Sequence, residues 1–285
     1  MRAIQGWCFL LSTALGLTLP IFASAANIQI IALTDSASFT PGPPKVGSLG
    51  TIFCTGLTGI QGIQTASQFP LPDHIAGVSV QMYGDLAPLL AVADFGSYQQ
   101  INFQVPFGFH GDAYVGVAQG GTTAYYLMPI NQPWGVFFTD SKGYAIAQHV
   151  DYSLVTPDHP ARPGEVLVAY ATNLEALGGV LNSPAPGWPA KADPLPSIIP
   201  SSDTYSRPCA TVNGIAAEMF YAGLTPGTVG VFQMNFRVPD GTPDGDAVLN
   251  AQTDIRCFNQ GTPYGYCIDG KKSVGAKIPV KSATH

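Results

Sequence analysis

His149, Val150 and Asp151 set an imidazole and a carboxylate two residues apart. On a strand that spacing puts both on one face, where a metal ion could take them as a ligand pair. No third ligand stands nearby, and two solvent-facing strand residues account for the pair equally well. The run Asp240-Gly241-Thr242-Pro243-Asp244-Gly245-Asp246 alternates carboxylates with glycine, loosely as a calcium loop does. It lacks the closing glutamate, and a tight turn rich in Asp and Gly accounts for it without an ion. There is no Gly-x-Ser-x-Gly elbow, no His-Glu-x-x-His, no phosphate loop and no Gly-x-Gly-x-x-Gly. The three glutamates, Glu165, Glu175 and Glu218, form no recognisable pair for glycoside hydrolysis. The chain therefore reads as non-catalytic, with no cofactor and no assigned metal.

Aromatic residues offer a different chemistry. Trp134, Trp188, Tyr205, Tyr264 and Tyr266 fall in expected loops or insertions. Exposed rings on a rigid scaffold bind sugars or protein partners through stacking and low-entropy apolar contact. The same rings would equally serve to plug a seam between lobes or cover the sandwich ends.

The elements that must position these residues are strands, and they come in duplicate. Gln100-Ile101-Asn102-Phe103-Gln104-Val105-Pro106 returns as Gln233-Met234-Asn235-Phe236-Arg237-Val238-Pro239. Polar and apolar residues alternate in both, the mark of a strand with one buried face. Gln100, Asn102 and Gln104 are expected to face outward. An earlier block, 47–57, aligns without a gap on 164–174, with Phe53 on Tyr170, Thr55 on Thr172 and Leu57 on Leu174. Between the blocks, Gly84-Asp85 and Asn213-Gly214 mark hairpins. Two ordered blocks imply internal duplication, and the strand spacing predicts two tandem immunoglobulin-like β-sandwiches, an all-β fold. The first is expected over 26–130 and the second over 161–285. The stretch 131–160 belongs clearly to neither copy; it contains an expected hairpin and is too apolar for a flexible linker, so it should pack between the halves. Insertions are expected at 183–202, rich in proline, and at 254–272. Gln100, Asn102, Gln233 and Asn235 read as structural repeat residues. The two asparagine amides are expected to satisfy the backbone of an adjoining turn, because a ligand site would have to exist twice.

Composition sets the outer bounds. Net charge is −6, and charged residues make up 11%, against about 25% in an average domain. No Lys/Arg run gives a footprint for nucleic acid or anionic lipid. Residues 1–25 read as an export signal: Arg2, an apolar run from Trp7 to Leu19, and Ala23-Ser24-Ala25 before the expected cut at Ala26. No other stretch is long and apolar enough to span a membrane. The mature chain is thus expected outside the cytoplasm, secreted or periplasmic. Its cysteines are Cys54, Cys209, Cys257 and Cys267. Cys257 and Cys267 flank one turn and are expected to pair in an oxidising compartment. Cys54 and Cys209 lie in different halves and are expected to be free and buried.

The blocks 47–57, 100–106, 160–165, 170–174 and 233–239, together with Ala37-Ser38-Phe39, Phe69-Pro70-Leu71-Pro72, Gly77-Val78-Ser79-Val80 and Ala222-Gly223-Leu224, resemble the Solibacter-type C-terminal domain family of secreted bacterial proteins. Each half is also similar to an IPT/TIG immunoglobulin-like domain. The resemblance implies a fold and an exported setting but no reaction, and no catalytic residue transfers. The functional expectation is a structural, adhesive or partner-binding module, with a protein or polysaccharide as partner. The alternatives are a polysaccharide-binding accessory protein and a hydrolase whose site is not recognisable.

Overall fold

The computed structural model describes residues 27–107, 114–128, 135–174, 182–195, 197, 208–253, 257–258, 266–267 and 275–282. Residues 1–25, the expected export signal, lie outside them, as do Trp134, Tyr205 and Tyr264. None of the described residues is helical. The first lobe runs through β1 (Gln29–Asp35), β2 (Leu49–Thr55), β3 (Ile63–Thr65), β4 (Val78–Met82), β5 (Asp85–Leu86), β6 (Leu89–Asp94), β7 (Gln99–Gln104), β8 (Tyr114–Gln119) and β9 (Thr122–Leu127). The second runs through β10 (Val136–Phe137), β11 (Ala147–Gln148), β12 (Val166–Thr172), β13 (Pro208–Val212), β14 (Ile215–Ala216), β15 (Glu218–Leu224), β16 (Phe232–Arg237), β17 (Gly245–Thr253), β18 (Cys257–Phe258), β19 (Tyr266–Cys267) and β20 (Ala276–Val280).

Each lobe is a sandwich of antiparallel sheets. In the first, β1-β2-β7-β6-β3 faces β5-β4-β8-β9; in the second, β10-β12-β16-β15 faces β14-β13-β17-β20, with β11 also on β12. Those orders are the A-B-E-D and C′-C-F-G sheets of an immunoglobulin fold. The duplicated sequence blocks occupy equivalent strands in the same register. Leu49 opposes Gln104 as Val166 opposes Arg237, and Thr51 opposes Asn102 as Val168 opposes Asn235. Even the irregularity repeats: one bulge lies between Leu89 and Ala91, the other between Met219 and Tyr221, opposite the same two positions of β7 and β16. The hairpin turns Tyr83-Gly84 (φ 56° and 87°) and Asn213-Gly214 (φ 50° and 79°) both use the left-handed pair that suits strand twist.

The period-2 pattern explains the cores. Ile52, Ile101 and Val92 form one inward row of the first lobe, and Ala169, Met234 and Ala222 the matching row of the second. Phe103 and Phe236, at equivalent positions, are fully buried in the two separate cores.

Three expectations need correction. Of the stretch 131–160, the described residues 135–160 do not stand between the halves: β10 and β11 both pair with β12, and Phe137, Ala145 and Ala147 lie in the second core. The expected hairpin forms there, bridging Thr139 to Ala145. One edge of this stretch, with Ala161 just beyond it, also pairs in parallel with β20, through Ala145 N to Lys277 O (2.8 Å), Lys277 N to Gly143 O (2.8 Å), Ala161 N to Pro279 O (2.9 Å) and Lys281 N to Ala161 O (2.8 Å). Gln104 does not face solvent; it is fully buried because the loop 182–195 of the second lobe covers it. Gly187 N donates to Gln104 Oε1 (2.8 Å), and Leu71 N donates to Gly187 O (2.9 Å). Its counterpart Arg237 stays half-exposed, paired with Glu218 at 2.8 Å. Finally, Cys209 is disulfide-bonded rather than free, while Cys54 is the buried free thiol expected. Cys257 and Cys267 lie opposite one another on β18 and β19, but their side chains fall outside the described set.

The lobes meet at the end of β12. Asn173 Oδ1 accepts from Lys45 N (3.0 Å), Asn173 N donates to Ser48 Oγ (3.1 Å), and Leu49 N donates to Thr172 Oγ1 (3.3 Å). Asn173 has φ 58°, and the equivalent Gly56 has φ 87°, so the same backbone hook ends both strands. In the first lobe that hook closes on Asn27 instead.

Candidate functional site

The outer face of the β1-β2-β7-β6-β3 sheet carries an aromatic ridge. Asp35, fully buried, braces the turn after β1 with its carboxylate. Oδ1 accepts from Ala37 N (2.8 Å) and Ser38 N (2.7 Å); Oδ2 accepts from Ser38 Oγ (2.7 Å) and Thr40 N (3.2 Å). That brace holds Phe39 at φ 55°, half-exposed, with its ring edge-to-face on Phe53 at 5.8 Å. Phe53 meets Tyr98 at 5.7 Å, and Tyr98 meets Phe95 at 5.2 Å. Phe95 and Tyr98 sit on the β6–β7 turn, closed by Phe95 N to Tyr98 O (3.0 Å) and Gly96 N to Asp94 Oδ1 (2.7 Å).

Beside the ridge lie two amides. Strand register lines up Ile63, Ala93, Gln100 and Phe53 in one row, and Thr65, Ala91, Asn102 and Thr51 in the next. No charged residue stands in either row. Asn102 Oδ1 accepts from Gln100 Nε2 (2.8 Å) and from Thr51 Oγ1 (3.1 Å). Gln100 Oε1 and Asn102 Nδ2 have no partner among the described residues. The amides thus do not satisfy the backbone of a turn, as the sequence suggested; they bond along the strand, since residues two apart share a face. The second lobe repeats the bond, Gln233 Nε2 to Asn235 Oδ1 at 3.1 Å, without the ridge. There the counterpart of Phe53 is Tyr170, whose hydroxyl donates to Gln148 Oε1 (2.6 Å), and the β15–β16 turn 225–231 carries no aromatic residue. Parity along β2 could have found Phe53, since Ile52 points inward; two outward-turned rings then follow within the β6–β7 turn.

Trp188 is half-exposed on the loop 182–195, over a hollow of about 500 Å³ walled by Pro184, Pro189, Pro194 and Lys191. It is not part of the ridge. For Tyr266 the backbone lies in β19 and the side chain lies outside the described set.

The groups singled out for metal or acid–base chemistry go elsewhere. His149 is buried, with Nδ1 2.6 Å from Glu165 Oε1 and its ring stacked on His159 at 4.1 Å. Ser153 Oγ donates to Asp151 Oδ1 at 2.6 Å and lies 3.4 Å from His159 Nδ1. These are the residue types of a hydrolytic triad, but the carboxylate takes the serine hydroxyl rather than orienting the imidazole, so no base is set to activate the nucleophile. The Ser153 hydroxyl beside Asp151 holds that carboxyl below its usual range. Asp244 binds Ser282 N (2.8 Å) and Oγ (2.7 Å), whereas Asp246 accepts from Tyr144 OH at 3.1 Å. Among the described residues no three His, Cys, Asp or Glu are grouped to hold a metal ion.

No protein-family model and no curated protein matches the chain. Among solved structures it is similar to the Bacteroides ovatus mixed-linkage glucan utilization locus protein SGBP-B in complex with a mixed-linkage heptasaccharide. That match has 10% identity, 83% of this chain, 42% of that one and a TM-score of 0.30. The chain therefore spans less than half of that protein's length. It is also similar to tandem Ig repeats of Dlar (11% identity, 91% and 100% coverage, TM-score 0.19) and to the I9–I11 tandem of titin (8%, 90% and 66%, TM-score 0.20). The likeness is of fold alone.

Proposed function

We propose that the protein is an exported, non-catalytic binding module that holds a neutral polysaccharide on the aromatic ridge of its first lobe. The observation that carries this reading is the juxtaposition of half-exposed rings with a free amide acceptor and a free amide donor, Gln100 Oε1 and Asn102 Nδ2, in an uncharged field. A pyranose offers an apolar C–H face to the rings and adjacent hydroxyls that can donate to one amide and accept from the other. An anionic glycan would find no cation in these rows to offset its desolvation. The carboxylates of Asp35 and Asp94, on β1 and β6 of the same sheet, are both engaged in bracing turns. Export is the expectation from residues 1–25 and places the module where polysaccharides occur.

Duplication supplies the control. Affinity electrophoresis through gels containing soluble β-glucan, xylan or mannan should show retardation of the mature chain by at least one of them. Phe39→Ala, Tyr98→Ala and Asn102→Ala should each weaken it about tenfold, near 1.4 kcal/mol. Asn235→Ala removes the same strand bond from the second lobe and should leave retardation unchanged. Equal loss from Asn102→Ala and Asn235→Ala would return both to a purely structural role. Retardation equal to that of the wild type in all three ridge variants would refute the site.

A further inference from the structure

The opposite sheet of the first lobe carries a separate feature. Register places Gln81, Gly116 and Tyr125 in one outward row across β4, β8 and β9, with Tyr114 two residues before Gly116 on the same face. A Cβ on Gly116 would sit 3.1 Å from Tyr125 Cε1, so the glycine lets that ring lean across the strand. Together with Gly84 these residues line a groove of about 480 Å³, within the range of small-molecule sites. Tyr125 is 66% and Tyr114 54% exposed, unusual for two neighbouring rings on one sheet face.

Packing of an aromatic over a strand glycine is a recognised way to restore lost contact, and it explains Tyr125. It does not explain Tyr114 or the orientation of Gln81. Gln81 Nε2 donates to Gly84 O (3.2 Å), and its carbonyl oxygen has no partner among the described residues. Neither phenol has one. Two rings, three unused polar groups and no charge match the chemistry already met on the ridge. We infer that the Tyr114–Tyr125 groove is a second neutral-glycan site, so that one lobe grips two polysaccharide chains on its two faces. This inference rests on the reading that neutral glycan is the ligand. The faces belong to sheets about 10 Å apart, far enough for two chains to be held without contact.

The test uses the mature chain with soluble neutral hexasaccharides of gluco, xylo and manno configuration. Calorimetry should give two sites per chain for the wild type, and one each for Tyr114→Ala/Tyr125→Ala and for Phe39→Ala/Tyr98→Ala. With long polysaccharide, only the wild type should cross-link chains and raise viscosity. Gly116→Val keeps both tyrosines but displaces the Tyr125 ring; it should weaken groove binding about tenfold while the circular dichroism spectrum stays that of the folded chain. Unchanged stoichiometry in the groove variant overturns the inference. If the groove variant abolishes all binding and the ridge variant none, the groove stands and the ridge reading falls. If the groove variant instead converts a dimer to a monomer in sedimentation and keeps both sites, the face is a self-association surface and the inference is overturned. Failure of the wild type to bind any of the sugars overturns both readings.

Discussion

The Cys54 thiol has no exposure, and burial pushes it up to about 12 from its ordinary 9.0. A thiol that ionises only when unfolded stabilises the fold fully below pH 9.0, and that stability is lost as pH rises from there toward about 12. At pH 8, Cys54 should therefore resist iodoacetamide in the native chain and react once denatured. Mass spectrometry of the Cys54 peptide reads this directly, and rapid native labelling would contradict it. The rest of the residue scale was only partly legible in the sequence. Alternation put Ile101 and Phe103 inward and Asn102 outward, as found. The same alternation failed for Gln104, because the burying surface is a loop more than 80 positions away, and parity cannot see it. Attention to aromatics outside the repeated blocks likewise missed Phe53, a ring inside a block whose outward parity makes it part of the ridge.

At the scale of elements, duplication was the strongest sequence signal, because each block fixes a strand, its face and its register at once. The stretch 131–160 was misplaced for a converse reason: β10 and β11 contribute only two paired residues each, too few to show a period. The loop 182–195 shows what an insertion adds to a copied frame. Gly187 has φ 78°, and a Cβ there would lie 3.0 Å from Leu71 N and 3.1 Å from Leu71 O. Gly187→Ala should lift the loop from the first lobe and cost ~1–3 kcal/mol in chemical denaturation; an unchanged midpoint would show that the loop is not docked. The disulfides can be settled by non-reducing peptide mapping. Cys54 is free and Cys209 bonded, while the side chains of Cys257 and Cys267 lie outside the described set. Recovery of a Cys257–Cys267 peptide together with a reduced Cys209 would reinstate the pairing expected from sequence.

For the whole molecule, the joint at Asn173 decides whether two lobes behave as one body. Flexible relative motion is the default for small interdomain contacts, but here side chains and backbone interlock on both sides. Asn173→Gly copies Gly56, keeps the left-handed backbone and deletes the acceptor for Lys45 N. It should cost about 1 kcal/mol and split one calorimetric unfolding transition into two; a single sharp transition in the variant would place the coupling elsewhere. The parallel pairing of β20 with residues 143–161 has a mechanical meaning of its own. Tension applied along the second lobe, from its first strand to its last, runs parallel to those strands, so the four bonds around Lys277 and Ala161 are sheared together instead of being peeled one after another. Loads shared in that way must break all at once, and forced unfolding is governed by that single barrier. The second lobe should therefore yield to a pull along its length in one step rather than in a series, which single-molecule extension would read.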